Sequence, residues 1–473
     1  MLDPAVHRWL RATAVVLVAF ALSACSSMRP WQNVPMREDA ATSAAARPQQ
    51  PRNPGGSSIV AAVTLSGGGA RAAAFGLGVL QELKATNFIW EGRETTLLDE
   101  VGLISGVSGG SVLATYYAAF GAEGLDRFEQ DFLLDDFEGG LIGKALAPAT
   151  MHELTSPWFG RSNVLAQRLD ALYRGRTFGD LLARPRGPEL LVTATDLTTG
   201  APFEFTLEQF QLICSDLGSV PLSFAVASSS AVPLLLTPMT LRNFAGQCAL
   251  PSPQAVGMAD NFRARLLNAN AQSYLDTKER PFVHLVDGGL SDNLGVRTLL
   301  DHLIAGGSMK ESFPDAAPGS IRRLVLIVVN SERDITERID HSDHVPTTGQ
   351  VLDALVFGAG SRETQVTLAI LNDDVQRWSR ELAQQRGTPG SPFAADAQIQ
   401  VVSVSLRDVG DHRLRRSLLQ VPTAFTIDPS DVRRLQQAGR EALRASPQFR
   451  QLVRDLVSAS GAAELNDMTK GKR

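Results

Sequence analysis

The stretch IVAAVTLSGGGARAAAFGLGVL, residues 59–80, decides the fold. Its β-branched and apolar first part predicts a strand from Ile59 to Leu65, which runs into three glycines. The apolar residues after the glycines recur at near-helical spacing and predict a helix from Ala70 to Ala85. A strand, a glycine turn and a helix in this order are typical of a parallel sheet with helices packed on it.

A second unit of the same kind follows in the chain. Val101 to Ile104 predicts a strand, and Ser111 to Phe120 predicts a helix. Between them lies the turn GVSGG, residues 106–110. A serine between glycines suits a sharp strand-to-helix turn that exposes its hydroxyl, and the helix dipole there favours negative charge. Ser108 is therefore a candidate nucleophile, although such a serine can also be a simple N-cap.

Later segments extend the predicted sheet across most of the chain. The further strands are Glu189 to Thr195, Phe203 to Leu207, Phe282 to Val286, Leu324 to Val329 and Ile399 to Leu406. A helical stretch separates the last two, from about Gly349 to Gln385. The last strand needs sheet neighbours, and the first half of the chain is the obvious supplier. We therefore predict one α/β domain from residue 58 to 460, closed by helices after Pro429.

A candidate base follows one of these strands. Asp287-Gly288-Gly289 comes directly after Phe282 to Val286, so the carboxylate should emerge at a strand end beside the two glycine turns. There it could accept the proton of Ser108. An ordinary aspartate-glycine turn is the alternative. His284 should point to the opposite face of the strand, which disfavours a triad completed by this histidine.

Other histidines give a weaker signal. Four of them follow the serine and the aspartate in the chain, as the order of an α/β-hydrolase triad would require: His302, His341, His344 and His412. The two in the HSDH sequence lie in a polar segment without further metal ligands nearby. We therefore expect no metal.

The three glycines after the first strand allow two kinds of site, besides a purely structural turn. GGGARA, residues 67–72, approaches the dinucleotide-binding pattern, which also needs an acid at the end of the second strand. Glu91 has roughly that spacing but not that setting, and this alternative leaves Ser108 and Asp287 unused. We favour an oxyanion hole, with these expected N–H donors: Gly67, Gly68, Gly69 and Ala70. Arg71 could contact a substrate phosphate or solvate the first helical turn.

The N-terminus predicts export. Basic residues precede the apolar stretch Ala12 to Leu22, which is too short for a comfortable membrane span and predicts a signal peptide over residues 1–24. Leu22-Ser23-Ala24-Cys25 resembles the bacterial lipoprotein box, so Cys25 is the expected lipidation site. Ser26 after this cysteine favours the outer membrane. An ordinary signal peptide with an incidental cysteine is the alternative.

Composition bounds the remaining segments and the partners. Residues 25–57, rich in Ala, Pro, Gln, Arg, Gly and Ser, predict a flexible tether, and residues 461–473 predict a disordered tail. The net charge is −5 without a basic cluster, which argues against nucleic-acid binding. Cys214 and Cys248 could form a disulfide in an oxidising compartment or stay as two free thiols.

Five sequence blocks together resemble the patatin-like phospholipase family. They are LSGGGARAAAFGLGVL, GVSGGS, ATDL before TG, ASSSAVP at residues 227–233, and DGG. The resemblance covers about residues 58 to 300. It implies a three-layer α/β/α fold with a mainly parallel central sheet, and a lipid acyl hydrolase of the phospholipase A or lysophospholipase type. It also implies a Ser108–Asp287 dyad, with no metal and no cofactor.

The lipoprotein box and the C-terminal half resemble a bacterial subgroup of lipid-anchored members. The resemblance implies a membrane lipid or lysolipid substrate, and a protein anchored through Cys25 to the outer membrane, facing the periplasm. An acyltransferase and a non-catalytic lipid-binding lipoprotein on the same fold are the alternatives.

Overall fold

The computed structural model describes residues 26–36, 57–248, 262–297, 299–300, 308–314, 316–333, 339–354 and 359–470. The strands are β1 (Ile59–Leu65), β2 (Asn87–Trp90), β3 (Arg93–Thr96), β4 (Val101–Gly106), β5 (Glu189–Asp196), β6 (Pro202–Glu204), β7 (Met239–Arg242), β8 (Phe282–Val286), β9 (Ile321–Asn330) and β10 (Phe393–Ser405).

The helices before β8 are α1 (Gly69–Ala85), α2 (Gly109–Phe128), α3 (Phe137–Leu146), α4 (Pro148–Glu153), α5 (Arg161–Tyr173), α6 (Phe178–Leu182), α7 (Leu207–Leu212), α8 (Leu222–Ser229) and α9 (Phe262–Ser273). Those after β8 are α10 (Thr348–Asp353), α11 (Ala359–Gln385), α12 (His412–Leu418), α13 (Pro429–Ala445) and α14 (Pro447–Lys470). A π-helical turn (Glu129–Leu133) extends α2, and short 3₁₀ turns lie at Leu217–Ser219, Gly288–Leu290, Ile339–His341 and Leu406–Asp408.

One sheet organises the molecule, with the strand order β10-β9-β1-β4-β5-β8-β7 and β6 beside β5. The five strands from β10 to β5 are parallel. Strand β8 runs antiparallel to β5 and to β7, and β6 is antiparallel to β5. Strands β2 and β3 form a separate hairpin. The predicted mainly parallel sheet is confirmed.

The side chains of β1 alternate between two packed layers. Ile59 and Val63 face a core that also contains α1 and α13, whereas Val60 and Ala62 pack on a second core that contains Trp378 of α11. Such alternation follows from the two-residue period of a strand. Helices therefore cover both faces of the sheet, which confirms the predicted α/β/α architecture.

The structure differs from the predicted tether where the N-terminal segment, residues 26–36, packs on the domain. Asn33 is buried, and its amide donates to the Arg242 carbonyl at 2.8 Å and to the Ser215 hydroxyl at 2.9 Å. The Arg242 N–H donates back to Asn33 at 2.8 Å. The Met36 N–H donates to the carbonyl of Cys214. Composition favours a tether, but these specific hydrogen bonds hold the segment against β7.

The other predicted boundaries fare differently. Cys25, the signal peptide and residues 37–56 lie outside the described residues. Residues 461–470, which belong to the predicted disordered tail, are instead the last part of α14. Cys214 and Cys248 form a disulfide with Cα atoms 5.7 Å apart, so the open alternative resolves in favour of the bridge.

No helix within the described part of the chain is both long and apolar enough to span a bilayer.

Candidate active site

Ser108 occupies a strained turn between β4 and α2. Its backbone has φ 48° and ψ −122°, a conformation that non-glycine residues rarely adopt. The Ser108 N–H donates to the Ser229 hydroxyl at 2.8 Å, which in turn donates to the Thr193 carbonyl at 2.6 Å. The predicted sharp strand-to-helix turn is therefore present, with a buried serine holding its backbone.

The two glycine turns touch through their backbones. A Cβ on Gly109 would lie 2.1 Å from the Gly69 carbonyl oxygen, and one on Gly110 would lie 2.4 Å from that of Leu65. Real Cβ atoms do not approach so closely, so a side chain at either position would push the turns apart. The glycines therefore place Ser108 directly beside the loop that was expected to supply N–H donors.

Asp287 reaches this site by an unexpected route. Its expected position was the carboxyl edge of parallel strands, but β8 is antiparallel to β5. Strand β5 extends beyond β4, because Gly106 ends β4 opposite Val192 while Thr195 still pairs with Val286. Strand β8 returns along this projecting tip, and its end arrives beside the Ser108 turn.

Burial makes Asp287 a better base than an ordinary aspartate. It raises the pKa of the carboxyl from 3.8 to about 6, against the opposing effects of the Gly289 N–H and the Ser108 hydroxyl. The Gly289 N–H donates to Oδ1 at 2.8 Å. The Ser108 hydroxyl is close enough to the carboxyl to lower its pKa. Oδ2 is buried and makes no hydrogen bond of good geometry with any described residue. This oxygen is free to accept a proton.

Two of the four expected oxyanion donors are already engaged. The Gly67 N–H donates to the Asn293 carbonyl at 3.0 Å, and the Ala70 N–H donates to the Ala424 carbonyl at 2.7 Å. The N–H groups of Gly68 and Gly69 donate to no residue in the described ranges. The available donors are therefore Gly68 and Gly69.

A small cavity of about 50 Å³ joins these groups. Its lining residues are Gly67, Gly68, Arg71, Ser108, Val232, Asp287, Gly289, Leu290, Asn293, Glu332, Arg333 and Thr423. At about 15 Å³ for each water, this space holds roughly three waters.

Arg71 borders the cavity but does not extend into solvent. It is buried, and it donates to the carbonyls of Ser331 at 3.0 Å and Val421 at 2.6 Å. Burial lowers its pKa to about 9; neighbouring Arg333 also lowers it, and Glu332 raises it. Of the two alternatives, solvation of the first helical turn does not apply, because the buried guanidinium joins two distant chain segments. A contact with substrate stays a prediction.

Sequence reasoning missed three residues that build the site. Ser229 lies in the ASSSAVP block, which signalled resemblance but gave no role for the second serine. Asn293 accepts from Gly67 and turns its side chain toward the cavity, and Ala424 accepts from Ala70. The last two contacts join segments far apart in the chain, which no local pattern signals.

The alternative residues lie elsewhere. His284 is exposed and pairs with the Thr240 hydroxyl at 3.0 Å, so it faces away from Asp287 as expected. Glu91 lies in the turn between β2 and β3 and accepts from the Ser58 hydroxyl, which disfavours a dinucleotide site. Within the described ranges, no cluster of three histidine, cysteine or acidic side chains could hold a metal ion.

Comparison with known proteins points to one family. A family model described as Patatin-like phospholipase matches residues 63–300. No curated protein matches the chain in sequence.

Similar solved structures include human GIVD cytosolic phospholipase A2, at 13% sequence identity and a TM-score of 0.41. The match covers 90% of this chain and 65% of that one. The same human protein in complex with methyl gamma-linolenyl fluorophosphonate gives 13% identity and a TM-score of 0.39, over 90% of this chain and 62% of that one. The chain thus spans less than two thirds of these solved chains.

Proposed function

Because the chain belongs to the patatin-like phospholipase family, we propose that it is a lipid acyl hydrolase that uses Ser108 as nucleophile and Asp287 as general base. The observation that carries this proposal is the shared cavity. It brings together the hydroxyl of Ser108 in its sharp turn, a carboxyl group with a pKa of about 6 and the N–H of Gly68. These are the parts that acyl transfer requires.

The reaction proceeds in two halves. The Ser108 oxygen attacks the ester carbonyl carbon while its proton moves to Asp287, and the N–H groups of Gly68 and Gly69 stabilise the oxyanion. Collapse of this intermediate breaks the ester bond, and the leaving alcohol takes the proton from Asp287. In the second half, Asp287 deprotonates a water that attacks the acyl-enzyme, and Ser108 regains its proton as the fatty acid leaves.

The finer assignment concerns substrate and location. We propose a membrane phospholipid or lysophospholipid as substrate, because family membership indicates a lipid ester. We also propose that Cys25 is lipidated and holds the protein on the periplasmic side of the outer membrane. The sequence Leu22-Ser23-Ala24-Cys25-Ser26 supports this location.

The decisive test compares Ser108→Ala and Asp287→Asn with the parent chain. Each variant should lose ester hydrolysis by at least about 1000-fold, as expected when one member of a nucleophile–base pair is removed, while its circular dichroism stays that of the parent. A fluorophosphonate probe should label Ser108 in the parent and nothing in Ser108→Ala. Substantial turnover by either variant contradicts the dyad. An unlabelled and inactive parent instead supports a lipid-binding protein, and ester products with added alcohols support an acyltransferase.

A further inference from the structure

The N-terminal segment fixes the chain next to Cys25 against one region of the surface. The Ser26 N–H donates to the Thr155 hydroxyl at 2.9 Å, and the Ser156 hydroxyl donates to the Met28 carbonyl at 2.7 Å. The guanidinium of Arg29 lies 3.8 Å from the ring centre of Trp158. These contacts place the residue after the candidate lipidation site directly after helix α4.

Exposed apolar side chains surround this point. We call Ile142, Leu146, Met151 and Trp158 the apolar face. Ile142 and Leu146 are four residues apart on α3 and therefore project on the same side of that helix. Lys144 is the only charged residue within 139–151, and it lines a groove of about 460 Å³ together with Met28. Helix α3 is therefore next to the N-terminal segment through Lys144, and Trp158 is next to it through Arg29.

A second pair of exposed leucines continues this surface toward the catalytic cavity. Arg161 begins α5 just after the apolar face and donates to the Leu234 carbonyl at 2.8 Å. Leu234 and Leu235 are both exposed, and Val232, two residues earlier, lines the cavity beside Ser108. Exposed leucines thus lie between the start of α5 and the residues that line the cavity.

We propose that the apolar face rests on the lipid bilayer and directs the catalytic cavity toward its surface. Consecutive Cα atoms are about 3.8 Å apart, so acyl chains on Cys25 would enter the membrane within a few ångströms of Thr155. Because Ser26 is hydrogen-bonded to the domain, no long linker separates the candidate anchor from the apolar face. The inference rests on the proposed lipidation and on the proposed lipid substrate.

The chemistry of the face suits a bilayer. Ile142 and Leu146 lie on one side of α3 and Lys144 on another, and an apolar side opposite a basic one is typical of helices that lie in the membrane interface. Contiguous exposed apolar side chains on one surface indicate a binding partner, whereas isolated ones do not. Because the candidate lipidation site is close to this face, we favour a lipid bilayer over a second copy of the chain as its partner.

An environment-sensitive probe tests this orientation without relying on catalysis. Leu146→Cys in the full chain is labelled with nitrobenzoxadiazole and reconstituted into vesicles of phosphatidylethanolamine and phosphatidylglycerol that contain nitroxide-labelled lipid. The parent chain, treated identically, corrects for any label on Cys25. We expect the Leu146→Cys emission to shift to the blue and to be quenched by the nitroxide lipid.

Val457→Cys is the matched control. Val457 is an exposed apolar residue (54%, against 65% for Leu146) on α14. That helix is joined to β10 by the hydrogen bond between Gln400 and Asp455, whereas the N-terminal segment is bonded to β7 at the other edge of the sheet. Its probe should show neither the shift nor the quenching.

Two outcomes overturn the inference. Equal quenching at positions 146 and 457 would show that the apolar face has no preferred contact with lipid. A blue shift at position 146 that appears without vesicles and grows with protein concentration would show that a second copy covers the face.

Hydrolysis separates this inference from the proposed function. The double variant Ile142→Asp, Leu146→Asp should lower the rate on vesicle lipid about tenfold relative to the rate on a short soluble ester, since burial of each side chain contributes affinity. Val457→Asp should keep the parent ratio. A parent that hydrolyses no ester refutes the proposed function, and the quenching experiment still decides the orientation.

Discussion

Asp287 carries the clearest electrostatic signature at the scale of single residues. Its carboxyl is buried beside a serine with an unusual backbone conformation, and its pKa is raised to about 6. A general base works best when its pKa lies near the working pH, since it then combines the deprotonated state with useful basicity. A pKa of about 6 therefore suits the role of general base that we propose for Asp287.

The pH profile of ester hydrolysis should report this residue. Only deprotonated Asp287 can accept the Ser108 proton, so kcat/KM should rise with pH, reach half its maximum near pH 6 and stay level above about pH 7. Measurement on a short soluble ester avoids effects of pH on vesicles. A midpoint near 3.8, the ordinary aspartate value, would contradict the raised pKa.

The raised pKa of Asp287 should also lower the free energy of unfolding at neutral pH. A carboxyl with a higher pKa in the folded state binds more protons there, so the free energy of unfolding falls as pH rises from about 4 through 6 and stays lower above that range. The change from 3.8 to about 6 corresponds to about 3 kcal/mol. Asp287→Asn should therefore be more stable than the parent by about 1–3 kcal/mol at pH 7.5.

Urea denaturation at two pH values measures this effect. At pH 7.5 the variant should show a higher midpoint with an unchanged slope. Near pH 4 the difference should largely disappear, because Asp287 is then protonated in the folded parent. A variant less stable than the parent at pH 7.5 would mean that the carboxylate supports the fold more than burial opposes it.

At the scale of elements, the contact between the two glycine turns is the feature most sensitive to substitution. Gly109→Ala would place a methyl group 2.1 Å from the Gly69 carbonyl oxygen, so the turns must separate. We expect the free energy of unfolding to fall by about 1–3 kcal/mol and activity to be lost, because Ser108 moves away from the N–H groups of Gly68 and Gly69.

Gly143→Ala is the control for this substitution. Gly143 lies inside α3, and an added Cβ meets no atom within 4 Å. Alanine there should stabilise the helix by about 0.5–1 kcal/mol. Thermal unfolding monitored by circular dichroism compares the two variants, and equal effects would show that the contact between the turns is unimportant.

Strands with strong local patterns could be predicted from the sequence, whereas their directions and distant contacts could not. The β-branched runs predict β1 with its observed bounds and the middle of β9, and the glycines around Ser108 predict its turn. The direction of β8 was not predictable, because pairing with β5 depends on how far β5 projects. The short strand β7 carries too little pattern to be recognised.

Long-range hydrogen bonds explain the remaining differences. Ala70 was an expected oxyanion donor, but the Ala424 carbonyl, far along the chain, accepts its N–H. Asn33 lies in a stretch whose composition indicates a tether, yet it is buried against Arg242. A single buried asparagine leaves no periodic trace in sequence, so composition gives the wrong expectation for its segment.

At the scale of the whole molecule, the disulfide secures the edge of the sheet where the N-terminal segment binds. Cys214 is bonded to Cys248, and its carbonyl accepts from Met36. Cys248→Ser should lower the free energy of unfolding by about 3–4 kcal/mol, the chain-entropy value for a loop of 34 residues. Guanidinium denaturation with and without reductant measures the loss.

The reductant provides the control for this prediction. It should lower the stability of the parent to that of Cys248→Ser and leave the variant unchanged. Thiol titration of the unfolded, unreduced parent should find neither Cys214 nor Cys248 reactive. Two reactive groups beyond Cys25 would contradict the bridge.

The segment that ends at Ala424 bonds the glycine turn after β1 to the C-terminal part of the chain. Its carbonyl accepts from Ala70, Val421 accepts from Arg71, and Thr423 forms part of the cavity wall. The position of this segment therefore helps to set the shape of the cavity. Substitutions in this segment can consequently reshape the candidate site, although they lie hundreds of residues from Ser108 along the chain.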